Sequence, residues 1–314
     1  MRLLQYNSDG RFSLTQFFDN VPQYAILSHT WGPEEVTFKD ITEGNGTSKA
    51  GFDKIRFCGE QARRDGLHYF WVDTCCIDKS SSAELAEAIN SMFRWYRDAT
   101  KCYVFLSDVP RADVDTTNQS QQLPWESVLR NQFQQLSYVP RADVDTIKQS
   151  QQLPYAPKVD VDTTNQSQQL PWESALRTSR WFTRGWTLQE LIAPTSVEFF
   201  SRNRKLLGDR KSLEQHICKI TRIPSKALRG SPLVEFSPTE RMSWAETRQT
   251  SREEDMAYSL LGIFDVHIPL IYGEGKDRAL KRLWEEIRKV LKGNCLVTYS
   301  RRIYIQPRVR KILT

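Results

Sequence analysis

Residues 24–32 read Tyr-Ala-Ile-Leu-Ser-His-Thr-Trp-Gly. The apolar run Tyr24–Leu27 stops abruptly at Ser28, His29, Thr30 and Trp31, and Gly32-Pro33 close it. A short apolar run bounded by turn residues is the pattern of a buried strand ending in a loop. Phe70–Asp73 and Cys102–Leu106 repeat it. Between these runs lie Gly51–Arg64, of helical character, and Ser82–Ala99, where Leu85, Ile89, Met92, Tyr96 and Ala99 fall on one helical face. Ser81 and Glu84 supply a capping-box start for the second helix. Such alternation predicts an α/β fold, a parallel sheet flanked by helices. Ligands of open sheets bind beyond the carboxyl ends of the strands. A hydroxyl, an imidazole and an indole at 28–31 suit a small polar ligand with a flat ring. The competing reading is a strand-end turn with Trp31 capping the core.

The pattern breaks over residues 108–178. The segment Asp-Val-Asp-Thr-x-x-Gln-Ser-Gln-Gln-Leu-Pro begins at Asp113, Asp143 and Asp160, with unequal spacing, so this is no solenoid. Polar residues dominate it, and it is too poor in apolar surface to offset its ordering entropy. We expect a flexible duplicated insert. After it, Thr187–Leu191 and Ser212–Thr221 read as helices and Val197–Phe200 as a fourth strand. Thr239–Arg248, Arg252–Ile263 and Lys276–Leu291 read as a helical extension.

Several classes are excluded or ranked low. No apolar run approaches the roughly 20 residues of a membrane helix, since Asp265, His267 and Pro269 interrupt Ala257–Ile271. Met1–Asn7 lacks the apolar core of a signal peptide, so a cytoplasmic location and no membrane span are expected. The six cysteines (58, 75, 76, 102, 218 and 295) contain no Cys-x-x-Cys pair and the histidines are scattered. A zinc site or disulfide framework is not expected. Cys75 is a weak nucleophile candidate, with a buried structural thiol the stronger reading. Gly273-Glu-Gly-Lys276 lacks the glycine spacing and the Ser or Thr of a phosphate loop. The net charge of +6 is mild, with much of the excess in Arg301, Arg302, Arg308, Arg310 and Lys311. A nucleic-acid binder ranks last and no nucleic-acid partner is expected.

Three motifs, in order, resemble the fungal heterokaryon incompatibility (HET) domain: Tyr24–Gly32, Tyr69-Phe-Trp-Val-Asp-Thr-Cys-Cys-Ile-Asp-Lys79, and Ser179-Arg-Trp-Phe-Thr-Arg-Gly-Trp-Thr-Leu-Gln-Glu-Leu191. Arg241–Ala245 through Tyr272–Gly275 is similar to the segment that follows that domain. The chain looks most like the N-terminal domain of vegetative incompatibility proteins that continue into NACHT and WD-repeat modules. The resemblance divides it into a HET domain (1–107 and 175–230), an insert (108–174), a helical extension (231–293) and a basic tail (294–314). It implies an effector of vegetative incompatibility that triggers regulated cell death, with self-association and a sensor protein in trans as expected partners.

A more distant resemblance, to Toll/interleukin-receptor (TIR) domains, implies a flavodoxin-like sheet and a chemistry. Ser28 ends the first strand run, as TIR first strands often end in serine, and Ser107 ends the third. Trp186 and Glu190 have the Trp-x-x-x-Glu spacing of the TIR segment with a catalytic glutamate. Some TIR domains cleave NAD⁺ between ribose and nicotinamide. On that likeness Glu190 is the catalytic candidate, and Ser28, His29, Trp31, Asp73, Arg184 and Trp186 are ligand-binding candidates. Glu84 and Ser107 are secondary. The same likeness makes NAD⁺ the expected substrate, with neither a metal nor a further cofactor required. Structural alternatives stand beside each: Thr187 and Glu190 also form a capping box, as do Ser81 and Glu84. Asp73 either binds ligand or pairs with Lys79 or Arg184, and Arg184 either binds phosphate or pairs with Glu190. Against the enzyme stands a non-enzymatic, self-associating signalling module that kills by recruiting partners.

Overall fold

The computed structural model describes residues 1–7, 10–110 and 171–303. The repeats at 113, 143 and 160, and the tail beyond 303, lie outside the described residues. In chain order the elements are β1 (Arg2–Tyr6), β2 (Phe12–Gln16), β3 (Tyr24–His29), α1 (Phe38–Thr42), α2 (Phe52–Arg64), β4 (Tyr69–Trp71), α3 (Asp73–Cys76), α4 (Ser82–Asp98) and β5 (Lys101–Leu106). After the undescribed segment come α5 (Pro171–Thr178), a 3-10 turn (Arg180–Thr183), α6 (Thr187–Ile192), β6 (Val197–Ser201), β7 (Leu206–Asp209), α7 (Glu214–Thr221) and α8 (Ser225–Leu228). A second 3-10 turn (Leu233–Glu235), α9 (Pro238–Ser243), α10 (Asp255–Tyr258), α11 (Leu261–Phe264) and α12 (Lys276–Ile303) follow.

The seven described strands form one sheet in the order β2-β1-β4-β3-β5-β6-β7. The fold is α/β as expected, but the sheet is mixed rather than parallel throughout. β4, β3, β5 and β6 are parallel neighbours. β1 runs antiparallel to both β2 and β4, and β7 antiparallel to β6. For β1–β2 and β6–β7 the reason is the length of the connections. β1–β2 and β6–β7 turn within a few residues, through Gly10 and Arg204 at positive φ. Links that short permit only antiparallel pairing, whereas parallel pairing needs a crossover.

Successive strand residues face opposite sides of a sheet, and this places the two main helices. Phe70 faces α2, where a Cβ on Gly59 would come within 3.1 Å of its ring. Trp71 faces α4, with its ring 5.9 Å from that of Tyr96 and 5.5 Å from that of Trp95. On β3 the Tyr24 hydroxyl donates to Trp95 O at 2.6 Å, so Tyr24, Ile26 and Ser28 share the α4 side. All six residues of β3 are buried, as befits a strand covered on both faces.

Three expectations are sharpened. Ser28 and His29 belong to β3 itself rather than to the loop after it. The end of the low-complexity segment folds as α5, with Leu176 fully buried. The predicted long helix Arg252–Ile263 is divided into α10 and α11. There α11 crosses α4 so closely that a Cβ on Gly262 would lie 2.0 Å from Phe93 Cβ. No described helix is long and apolar enough to cross a membrane. Gly262→Ala is therefore expected to cost about 1–3 kcal/mol through overpacking, lowering the melting temperature by about 2–4 °C for each kcal/mol. A thermal melt that matches the parent's contradicts this packing.

Candidate functional site

The carboxyl ends of β3 and β4, the 3-10 turn, α6 and the segment 249–255 surround a cavity of about 550 Å³. That is the size of a small-molecule site. Its position past the strand ends is where open α/β sheets bind ligands.

Glu190 forms one side. It sits on α6, which opens without a side-chain cap at Trp186. The Thr187 hydroxyl instead donates to Trp181 O at 2.5 Å and Arg184 O at 3.0 Å. The Thr187–Glu190 capping box is therefore absent, and the Glu190 carboxylate is turned toward the sheet. Its Oε2 accepts from Ser28 Oγ at 2.5 Å, and Ser28 Oγ accepts from Trp181 Nε1 at 2.8 Å. Only 7% of Glu190 is exposed. Burial pushes its pKa up to about 8, with the Ser28 hydrogen bond and the charge of Arg184 acting against that rise.

Asp73 forms the second side. It accepts from Trp31 Nε1 at 2.9 Å, lies 2.9 Å from His29 Nε2, and has Lys79 Nζ 3.6 Å away. Burial opposes its ionisation, but Lys79 and the His29 contact together hold the carboxyl well below the usual range. Burial lowers the pKa of His29, assisted by the charge of Lys54. The neutral ring thus donates from Nε2 to Asp73, and its buried Nδ1 has no partner. Lys79 Nζ stands 3.7 Å over the Trp31 ring, which is still 45% exposed.

The third side comes from the helical extension. Gly185 N donates to Gln249 O at 2.8 Å and Gln249 N donates to Thr183 O at 2.6 Å. A Cβ on Gly185 would meet Thr250 Cγ2 at 2.4 Å, so this contact requires glycine. Arg248 is 3% exposed and donates from Nη1 to Arg184 O at 2.9 Å and to Thr187 Oγ1 at 2.8 Å. Burial pulls its pKa down to about 9, so it keeps its charge at neutral pH. The cation ties segment 249–255 to the start of α6. Asp255 accepts from Trp186 Nε1 at 3.2 Å and from the Tyr272 hydroxyl at 3.0 Å, and burial raises its pKa.

Of the residues singled out from sequence, His29, Trp31, Asp73, Arg184, Trp186 and Glu190 line the cavity. Ser28 lies behind Glu190, fully buried, as its hydrogen-bond donor. Glu84 is elsewhere: it accepts from Arg2 Nη2 at 2.9 Å and from Asp78 N at 2.8 Å, while Ser81 Oγ caps its backbone N–H. Ser107 Oγ is 3.4 Å from Thr30 Oγ1, outside the lining. Cys75 is buried and donates to Val36 O at 3.2 Å, and burial pushes its pKa up to about 12, the state of an inert thiol. Arg184 pairs with neither Asp73 nor Glu190; its guanidinium carbon lies 5.7 Å from the Trp31 ring. Sequence reasoning missed Arg248, Arg252, Asp255 and Tyr272. The signal was the polar run Thr250–Asp255 inside a segment read only as packing helices. Among the described residues, no group of three or more His, Cys, Asp or Glu could hold a metal ion.

Residues 24–190 match the family model described as "Heterokaryon incompatibility protein (HET)". The chain is 52% identical over 293 residues to "Vegetative incompatibility protein HET-E-1" of Podospora anserina, covering 92% of this chain and 18% of that protein. A second similarity, 28% identity over 125 residues, is to "Chromosome-associated kinesin KIF4" of Xenopus laevis. It covers 37% of this chain and 10% of the kinesin, too little of either to assign a family. The chain thus spans less than a fifth of either relative. No solved structure matches it.

The Glu190 environment has a measurable consequence for stability. Its folded pKa, about 8, lies above the ordinary 4.5. Between those values the folded chain holds a proton that the unfolded chain has lost. The stabilisation is complete below the lower value and is lost as pH rises through the upper one, at up to about 1.4 kcal/mol per pH unit. Glu190→Gln keeps the shape without titrating. In urea denaturation the variant should gain on the parent steadily from about pH 5 to 8; a stability difference independent of pH contradicts the buried, protonated carboxyl.

Proposed function

The chain belongs to the heterokaryon incompatibility (HET) family, and from that premise we propose that it is an effector of vegetative incompatibility that triggers cell death by hydrolysing NAD⁺ at the nicotinamide–ribose bond. One observation carries the reading: the buried Glu190 carboxyl borders a nucleotide-sized cavity together with the exposed indole of Trp31. The Trp186–Glu190 spacing and the parallel β4-β3-β5-β6 centre support its TIR-like element. Self-association and a sensor on another polypeptide belong to the same proposal.

The residues suit the chemistry. The nicotinamide of NAD⁺ is already cationic, so it leaves as a neutral ring without a general acid, unlike ordinary glycoside hydrolysis with its two carboxyl groups. The bond from ribose C1′ to the ring nitrogen breaks, with its electron pair going to nicotinamide. Water then adds at C1′ and releases a proton. Positive charge grows on the ribose, and an ionised Glu190 beside it stabilises that charge in a site with little water. Ser28 and Trp181 hold the carboxylate in one orientation, so it does not reorganise during reaction. Trp31 and Trp186 offer aromatic surface for a ring, and Asp73 fixes the Trp31 indole.

Concentrated protein incubated with NAD⁺ should release nicotinamide, and folded Glu190→Gln should not. Because the active form carries the ionised Glu190, kcat/KM should rise about tenfold per pH unit below about 8 and level off above it. Binding of the cationic substrate favours the ionised form, so kcat should level off at lower pH. A folded, self-associated parent that releases no nicotinamide overturns the enzymatic reading in favour of a module that acts by recruitment.

A further inference from the structure

The cavity's cations are unequally matched. Lys79 has Asp73, and Arg180 has Asp108 at 3.9 Å. Arg184 and Arg252 also line the cavity, and neither has an ion-pair partner among the described residues. Each is nevertheless placed by its surroundings. Arg184 stands near the Trp31 ring, and its backbone is bridged to Gln249. Arg252 lies over the Tyr272 ring at 4.1 Å, and the Thr250 hydroxyl donates to its carbonyl at 2.6 Å. Of the acidic residues that follow it in the chain, Glu254 accepts from Gly273 N at 2.8 Å and Gly275 N at 3.0 Å, and Asp255 spends its two oxygens on Trp186 and Tyr272. Two guanidinium groups that make no direct ion pair, on two segments stitched by Gly185 N to Gln249 O, border one concave space; the charge of Arg184 reaches Glu190 and that of Arg252 reaches Glu254 and Asp255 only at longer range.

We propose that Arg184 and Arg252 form a clamp for the diphosphate of a nucleotide ligand, with Trp31 beside it as the aromatic surface for a ring. Guanidinium is the side chain whose planar fork matches phosphate oxygens. Two unpaired cations match the two charges of a diphosphate diester, and a single phosphate fills only a small part of 550 Å³. The clamp lies on the same cavity as Glu190 and deepens the hydrolysis reading by naming what holds the substrate. It concerns binding alone, so it stands or falls separately from bond cleavage. It also gives Arg252 a role, although the residue lies outside the matched span 24–190.

The test is equilibrium binding of ADP-ribose, ADP and adenosine to the full chain, followed by tryptophan fluorescence and calorimetry. ADP-ribose and ADP should bind at least about tenfold more tightly than adenosine, as expected for charge-assisted hydrogen bonds to a buried anion, and rising salt should shrink the difference. Arg252→Ala and Arg184→Gln should each remove about tenfold of the diphosphate preference and leave adenosine binding unchanged. Arg252 is exposed, so Arg252→Ala should keep the parent's melting temperature, and a loss of binding there cannot be unfolding. Equal affinity for ADP and adenosine, an intact preference in Arg252→Ala, or no binding of any of the three overturns the clamp. Diphosphate-dependent binding without nicotinamide release keeps the clamp and overturns hydrolysis. Nicotinamide release with no diphosphate preference does the reverse.

Discussion

A line of three buried polar groups, Trp181 Nε1 to Ser28 Oγ to Glu190 Oε2, joins the central strand β3 to the 3-10 turn and to α6. The Ser28–Glu190 bond spans 162 residues of sequence. Each member depends on the next. Without Ser28 the Trp181 N–H loses its acceptor and the Glu190 carboxyl its donor, and buried polar groups left unpaired cost about 1–3 kcal/mol each. The sheet gives this line its rigidity: β3 is flanked on both sides by parallel neighbours and covered on both faces. The short α6 makes no cap of its own and is held by contacts from Trp181, Arg184 and Arg248. Glu190 is therefore fixed by the fold and not by its local helix.

The remaining site is built around that carboxyl by opposite uses of charge. At Asp73, burial is outweighed by Lys79 and His29 and the carboxyl stays ionised. At Glu190 no cation pairs directly with the carboxyl and burial wins. Two carboxyl groups on one cavity thus sit in different protonation states at neutral pH, the pattern by which a site assigns separate tasks to like groups. Asp73 anchors the Trp31 indole; Glu190 is the group poised to change charge. The buried Arg248 and the Gly185–Gln249 contact bring the helical extension into the site as its third wall, so the extension is part of the cavity's construction and not only packing.

Much of this was legible from the chain, for reasons that also explain the gaps. The runs at 24, 70 and 102 are buried on both faces and therefore read as continuous apolar strands, and their ends located His29, Trp31 and Asp73. The periodic face of α4 was readable from Leu85 to Tyr96. The edge strands were not: Arg2–Tyr6 and Phe12–Gln16 pair antiparallel at one edge, where burial is partial and the apolar signal is weak. Leu206–Asp209 contains a glycine and is only partly buried. The Thr187–Glu190 spacing fits a helix cap and a buried acid equally well, and only the position of Ser28 across the sheet decides between them. Arg248, Arg252, Asp255 and Tyr272 act on the cavity through long-range contacts, which no local period announces.

The central claim is that Glu190 is a buried carboxyl whose ionisation is displaced to near neutral pH by the fold. The direct measurement is the ¹³C chemical shift of the glutamate side-chain carboxyls as a function of pH, with the Glu190 resonance assigned by its loss in Glu190→Gln. The account predicts one carboxyl that titrates near pH 8, well above the exposed glutamates. A Glu190 resonance that titrates near 4.5 with the rest would contradict it.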